Sequence, residues 1–228
     1  MANPGLEFFS KEISVNRISL FVSIVGSTFE DFPELVNKLK TLNILGFELN
    51  LSCPHVEKMG MEVGDDHKAV FNIVKIIKKN STKPLFVKVG IGDSDIIKTA
   101  KVAEKAGADA ITAINIIRAM KIDTETGCPM LENRVGGLSG ASIKPIGVRC
   151  VYELKKNLNI PIIGCGGILS HEDAIEYFMA GASAIQIGTV LGFGGLNSFK
   201  KILKGLRKYL EIKNYKNISE LIGIAQKY

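Results

Sequence analysis

No run of about 18 uninterrupted apolar residues occurs in this chain, which excludes a membrane-spanning helix of the usual kind. The opening MANPG (1–5) lacks the basic start and apolar stretch of a secretory leader. Cysteine is scarce. Cys53, Cys128, Cys150 and Cys165 lie far apart, without the paired spacing that builds zinc or iron-sulfur sites, so they read as thiols. Histidine is scarcer still, and His55, His67 and His171 show no ligand spacing. Positive charge is not gathered into a patch: the net +6 comes from scattered lysines, notably in KIIKKN (75–80) and from Lys200 to Lys216. Solvated helix faces explain that distribution better than a nucleic-acid surface. A soluble, cytoplasmic chain with neither nucleic acid nor membrane as partner is expected.

What remains is ordinary globular material, with 46% hydrophobic and 23% charged residues in 228, suited to one domain spanning 1–228. Short runs rich in Val, Ile and Phe recur as SLFVSIVG (19–26), FELNLS (47–52), PLFVKVG (84–90), AITAIN (110–115), IPIIGCGG (160–167) and AIQIGT (184–189). Each reads as a buried strand. Amphipathic stretches fall between them at 29–42, 95–107, 143–157 and 172–181, with apolar residues at helical spacing. Alternation of this kind predicts an α/β fold with a parallel sheet, either a (β/α) barrel or an open doubly wound sheet. Polar or glycine residues end nearly every strand: Asn50 to Cys53, Lys88, Asn115, Gly166 with Gly167, and Gly188 with Thr189. Such ends converge on one mouth in a barrel, where active sites are built, so the expected fold is a (β/α)8 TIM barrel. About six strand-helix units are countable, against the eight of a closed barrel. The barrel is therefore expected to lack its first two units.

Cys53 lies just beyond a strand end, on a turn that Pro54 stiffens. A thiol there is a candidate general base or nucleophile, and the alternative is a small buried hydrophobe. The other three cysteines read as structural: Cys150 on a helix core face, Cys128 in a hairpin, Cys165 in a strand. Glycines in GCGG (164–167) and IGT (187–189) suit a phosphate cradled by backbone N–H groups, or else simply tight strand-to-helix turns. Lys88, within FVKVG, is expected to turn its ammonium into the mouth, where a buried cation needs an anionic partner; snorkelling to solvent is the alternative. His171, followed by Glu172 and Asp173, marks a helix start. The polar stretch from His55 to Lys68, with Gly60 and Gly64, reads as a lid or a plain surface loop.

Taken in order, NLSCP (50–54), FVKVG (86–90), MKIDTETGCPML (120–131), GGLSGASIKPIGVR (136–149), IPIIGCGGI (160–168) and AIQIGT (184–189) resemble the dihydroorotate dehydrogenases. The likeness is to their soluble subclass with a cysteine base, and the stretch through GGLSG is most similar to the NAD-linked type. It covers nearly the whole chain. The resemblance implies that Cys53 removes a proton from C5 of dihydroorotate while a hydride leaves C6 for FMN, giving orotate. It implies further that Asn50, Asn115 and Ile116 occupy substrate-binding positions, with Asn50 also beside the flavin. Lys88 and Ile114 are implied at the flavin ring, and Gly140, Gly166, Gly167, Gly188 and Thr189 around FMN. The implied partners are a second copy of the chain, as a homodimer, and a subunit carrying FAD and an iron-sulfur cluster.

Three positions depart from the pattern: His55 and Ile116 stand where asparagine and threonine are usual, and Ser23 where an asparagine near the flavin is common. A polar partner lost from a hydrogen-bonding site weakens binding by roughly 1 to 3 kcal/mol. A different dihydropyrimidine substrate is thus an alternative reading. MANPGLE (1–7) resembles the end of a motif that in the family follows two further strands, so Met1 is expected to be an internal methionine, and a non-catalytic fragment is the third reading.

Overall fold

β-Branched and aromatic residues dominate the short apolar runs, and they become the strands of a computed structural model that describes residues 5–15, 20–26, 28–51, 64, 66–92 and 95–228. Two units are distinguished, Met1–Ile111 and Thr112–Tyr228, with the strand β4 (Ala110–Ala113) contributing to each.

In the first unit, α1 (Leu6–Val15) precedes β1 (Phe21–Ile24), α2 (Asp31–Leu39), β2 (Gly46–Asn50), α3 (His67–Asn80), β3 (Leu85–Val89) and α4 (Ile96–Ala106). β1 pairs with β2 and β2 with β3, both in parallel. Strand side chains alternate across the sheet. Val22, Ile24, Phe47, Leu49, Leu85, Val87 and Val89 are buried, and they share the core with Val36, Val70, Ile73, Val74, Ala100 and Ala103 of the helices. Phe21 and Phe86 point the other way and stack at 4.2 Å. Gly46 is required where it stands, because a Cβ there would collide with Pro84 O and the Phe21 ring. The helices start on side-chain caps. Asp66 Oδ1 accepts from the N–H groups of Lys68 and Ala69, and Asp95 accepts from Ile97 N–H.

The second unit takes β4 through Ile114 into an antiparallel ribbon of β5 (Ile117–Ala119) and β6 (Gly136–Leu138). A 3₁₀ turn (Ala141–Ile143) leads into α5 (Lys144–Asn157), then β7 (Ile162–Cys165), α6 (His171–Ala180), β8 (Ala184–Gln186), α7 (Thr189–Gly194) and α8 (Asn197–Ile212). The strand order is β4-β7-β8, with β7 and β8 parallel. Cys150, Val151, Leu154, Ile162, Ala174 and Tyr177 form its core. A capping box opens α6: Asp173 N–H donates to Ser170 Oγ, and Ser170 N–H donates to Asp173 Oδ2. Near the end of the chain, Gly223 N–H donates to Phe178 O, and Gln226 Nε2 donates to Ala180 O and to Tyr152 O.

The α/β alternation expected from the sequence is present: β1-β2 and β2-β3 of the first unit and β7-β8 of the second pair in parallel, while the β5-β6 ribbon is antiparallel. Strand ends differ from expectation. The run 110–115 stops as strand at Ala113 and the run 184–189 at Gln186, because the chain turns at Gly188 to begin α7 at Thr189. Among the described residues, no helix is long and apolar enough to cross a membrane.

Candidate functional site

The parallel register of the first unit places its polar side chains on one face. Ser23 stands opposite Glu48, Glu48 opposite Phe86, and Asn50 opposite Lys88. Because side chains two apart share a face, Ser23, Glu48, Asn50 and Lys88 lie together on the side opposite the helix-packed core. Lys88 Nζ lies 3.8 Å from Glu48 Oε1, with the two side chains 18% and 9% exposed. That contact is an ion pair rather than a hydrogen bond. Glu48 was not singled out in the sequence, although its position two residues before Asn50 in FELN puts both on one face.

Beyond Asn50, Leu51 N–H donates to Lys88 O, and Gly64 N–H returns to Leu51 O. Thr99 Oγ1 donates to Gly64 O and lies 3.3 Å from His67 Nε2. Cys53 and His55 lie outside the described residues, as does most of the His55–Lys68 stretch. The end of that stretch is the capped start of α3.

In the second unit, the segment after β4 carries Ile114, Asn115 and Ile116. Ile114 is buried, and its N–H donates to Cys165 O at 2.8 Å. Asn115 Oδ1 accepts from Ile116 N–H at 2.9 Å. Ile116 packs its side chain over Gly137 of β6, where any Cβ would collide with it. An apolar side chain against a glycine thus fills the position where a hydroxyl was anticipated.

The glycines expected around a phosphate come together in this unit. Gly166 and Gly167 have φ of +117° and +69°, a region that side-chain-bearing residues rarely adopt. A Cβ on Gly167 would lie 2.7 Å from Gly140 O and 2.8 Å from Lys144 N, so the turn after β7 abuts the start of α5. Thr189 Oγ1 donates to Ser139 Oγ at 3.0 Å, beside Gly140. A Cβ on Gly188 would meet nothing within 4 Å. Three glycine-bearing turns therefore form a cradle with open space at one side and a threonine hydroxyl at its edge. Its lack of side-chain bulk and the open space beside Gly188 leave room for a phosphate group.

Electrostatics anchor the cradle from behind. Lys144 Nζ donates to Asp173 Oδ1 at 2.8 Å and to Glu176 Oε1 at 2.7 Å, joining α5 to α6. Those hydrogen bonds, Asp173 first, raise the Lys144 ammonium above its ordinary value. Burial alone would raise Asp173, but hydrogen bonds from Lys144, Leu169 N–H and Ser170 N–H outweigh it and hold the carboxyl below the usual range. Burial pushes the Cys150 thiol up, consistent with a packed and unreactive cysteine. Cys128 is exposed in the turn between Asp123 and Pro129, and Cys165 ends β7. Among the described residues, no group of three or more His, Cys, Asp or Glu could hold a metal.

Comparison with known proteins adds a family. A family model described as "Dihydroorotate dehydrogenase" matches residues 2–210. The chain is 44% identical over 229 residues to a Pyrococcus furiosus protein named "Dihydroorotate dehydrogenase B (NAD(+)), catalytic subunit", covering 100% of this chain and 76% of that one. A protein of the same name from Thermoplasma acidophilum is 44% identical over 228 residues, covering 99% and 75%. Another from Caldicellulosiruptor saccharolyticus is 45% identical over 227 residues, covering 98% and 75%.

Proposed function

The chain belongs to the dihydroorotate dehydrogenase family, and from that premise we propose that it oxidises dihydroorotate to orotate for pyrimidine synthesis, using FMN and Cys53 as the base. The observation that supports the reading is the cradle of Gly140, Gly166, Gly167, Gly188 and Thr189, whose positive-φ glycines and open side leave room for the phosphate that the family motif implies. FMN, when bound, would supply the hydride acceptor that no side chain can provide.

The remaining roles belong to the chain's own residues. Cys53, as thiolate, takes the proton from C5 of the substrate. Asn50 and Asn115 hold the substrate ring through their amides, with Ile116 beside them. Ile114 packs against the flavin, and the Lys88 ammonium meets the charge that develops there. Glu48, 3.8 Å from Lys88, is an ion-pair partner of that ammonium. The family's (β/α)8 barrel is the proposed architecture, and the cytoplasm the proposed location. The relatives' name, a catalytic subunit of the NAD(+) type, supports a second subunit that passes electrons on to NAD, with FAD and an iron-sulfur cluster as the proposed carriers. A homodimer of catalytic chains is proposed as its core.

Ile116, packed against Gly137 where the family has a threonine, keeps one competing reading in play, a dihydropyrimidine without the carboxylate. Anaerobic addition of dihydroorotate or dihydrouracil to the flavin-loaded protein separates them. Bleaching by dihydroorotate alone is expected. Bleaching by dihydrouracil alone would assign the competing substrate, and a protein that takes up no FMN would overturn both.

A further inference from the structure

Among the described residues Tyr177 is the largest fully buried side chain, 0% exposed, yet it carries a hydroxyl into the core. Its ring lies on α6 and its hydroxyl reaches the turn that follows β7. The phenol lies 2.7 Å from Gly166 O and 3.2 Å from Cys165 O. One proton serves one acceptor well, and the shorter distance identifies Gly166 O as the main partner. The molecule makes room for this. A Cβ on Gly147 of α5 would collide with the phenol oxygen, and a Cβ on Gly164 of β7 would collide with the ring. Phenylalanine would fill the same space without needing a partner, so the hydroxyl has a purpose beyond packing.

The purpose follows from peptide geometry. In a trans peptide the C=O and the following N–H point in opposite directions. A Gly166 carbonyl held against Tyr177 therefore turns the Gly167 N–H away from the core. The Cys165 carbonyl, held by Ile114 N–H at 2.8 Å and flanked by the phenol, does the same for the Gly166 N–H. Two successive N–H groups then point away from the core at the turn whose Gly167 abuts Gly140. Positive φ at Gly166 and Gly167 lets the backbone make this reversal. Burial, the main cause, pushes the Tyr177 phenol far up, so it remains a neutral donor at any ordinary pH.

We propose that Tyr177 is a positioning residue for the phosphate group of the cofactor, acting through the carbonyl of Gly166 to aim the N–H groups of the 166–167 turn. The inference rests on reading that turn as a phosphate site. It makes the contribution of Tyr177 specific to phosphate, which a general packing role would not be.

The test compares two ligands that share a ring system and differ in the phosphate, FMN and riboflavin, titrated into the full chain by flavin fluorescence. The parent should prefer FMN. Tyr177→Phe should weaken FMN binding by about tenfold, the scale of one hydrogen bond left unmade, and leave riboflavin binding unchanged. Equal loss for both ligands, or an undiminished preference for FMN, would overturn the proposal. A parent that binds the two equally well would remove the phosphate reading itself, and this inference with it. Gly147→Ala gives an independent route should the phenylalanine variant not fold, since the added methyl collides with the phenol oxygen and forces the rigid tyrosine side chain away from Gly166 O. The same loss of preference is expected, and its absence counts against Tyr177 in the same way.

Discussion

The ammonium of Lys88 and the carboxylate of Glu48 sit on neighbouring strands of one parallel ladder, 3.8 Å apart on the polar face. Both side chains are largely withdrawn from solvent. Lys88→Met removes the cation beside a buried carboxylate and should lower stability by about 1–3 kcal/mol. The double variant Glu48→Gln/Lys88→Met should be less damaging than the sum of the single ones, with a coupling of about 0.5–3 kcal/mol in urea denaturation. Strict additivity would show that the two charges do not sense each other.

Substitutions in the glycine cradle should separate folding from cofactor binding. At Gly166, with φ of +117°, an aspartate is strained and places a carboxylate near the expected phosphate, so Gly166→Asp should purify colourless. Gly188→Ala should fold within about 0.5 kcal/mol of the parent, because its Cβ meets open space. Weaker FMN binding by that variant, alongside an unchanged melting temperature, is the expected result. Full retention of flavin would show that the space beside Gly188 is not where the ligand lies.

For the chemistry, Cys53→Ala should leave FMN and orotate binding nearly intact and slow flavin reduction by roughly 10² to 10⁴, the usual worth of a positioned base. In the parent, reduction should rise with pH as the thiol ionises around its reference value near 8.5. Cys53→Ser should retain more activity than the alanine variant and move that profile upward. Stopped-flow bleaching of the bound flavin measures all three. Unchanged reduction by Cys53→Ala at every pH would move the base elsewhere, with His55 the first residue to test.

The Lys144–Asp173 bridge has a signature in acid. Asp173 is held below the ordinary carboxylate range when folded. Its contribution is thus fully present above the unfolded value near 3.9 and fades as pH falls through the folded value. Asp173→Asn leaves a single neutral oxygen to accept from Ser170 N–H, Leu169 N–H and the Lys144 ammonium, and should destabilise by about 1 kcal/mol at neutral pH. The difference from the parent should shrink towards acid. Lys144 is the mirror case: its folded value is raised, so its contribution holds below about 10.4 and is lost as pH climbs through the folded value. Urea midpoints measured across the acid limb check the first, and across the alkaline limb the second.

Much of this was legible before any coordinates. Apolar runs of strand length and stretches of helical period mark themselves, and His171 with Glu172 and Asp173 signals the start of α6. Cys150 falls on a helix core face because the period of α5 puts it there. Other features leave no such trace. Glu48 sits inside a strand whose functional residues were sought at its end, and only the register with β3 brings it to Lys88. Tyr177 reads as one more apolar residue in IEYFMA, because its partner is a main-chain carbonyl that no side-chain pattern announces. The β5-β6 ribbon joins segments far apart in sequence through a long excursion rather than a tight turn. Strand ends were read too long where the chain bends away at Asn115 and Gly188, since composition records burial and not direction.

The closing segment of the chain has an effect on how its second unit breathes. Gln226 donates to Ala180 O at the end of α6 and to Tyr152 O within α5, while Gly223 N–H holds Phe178 O. Such a buckle makes the opening of α6 and the departure of the final residues one event. Hydrogen–deuterium exchange should accordingly find the amides at Gly181 and Gly223 exchanging in step, unlike the graded fraying of an untethered terminus.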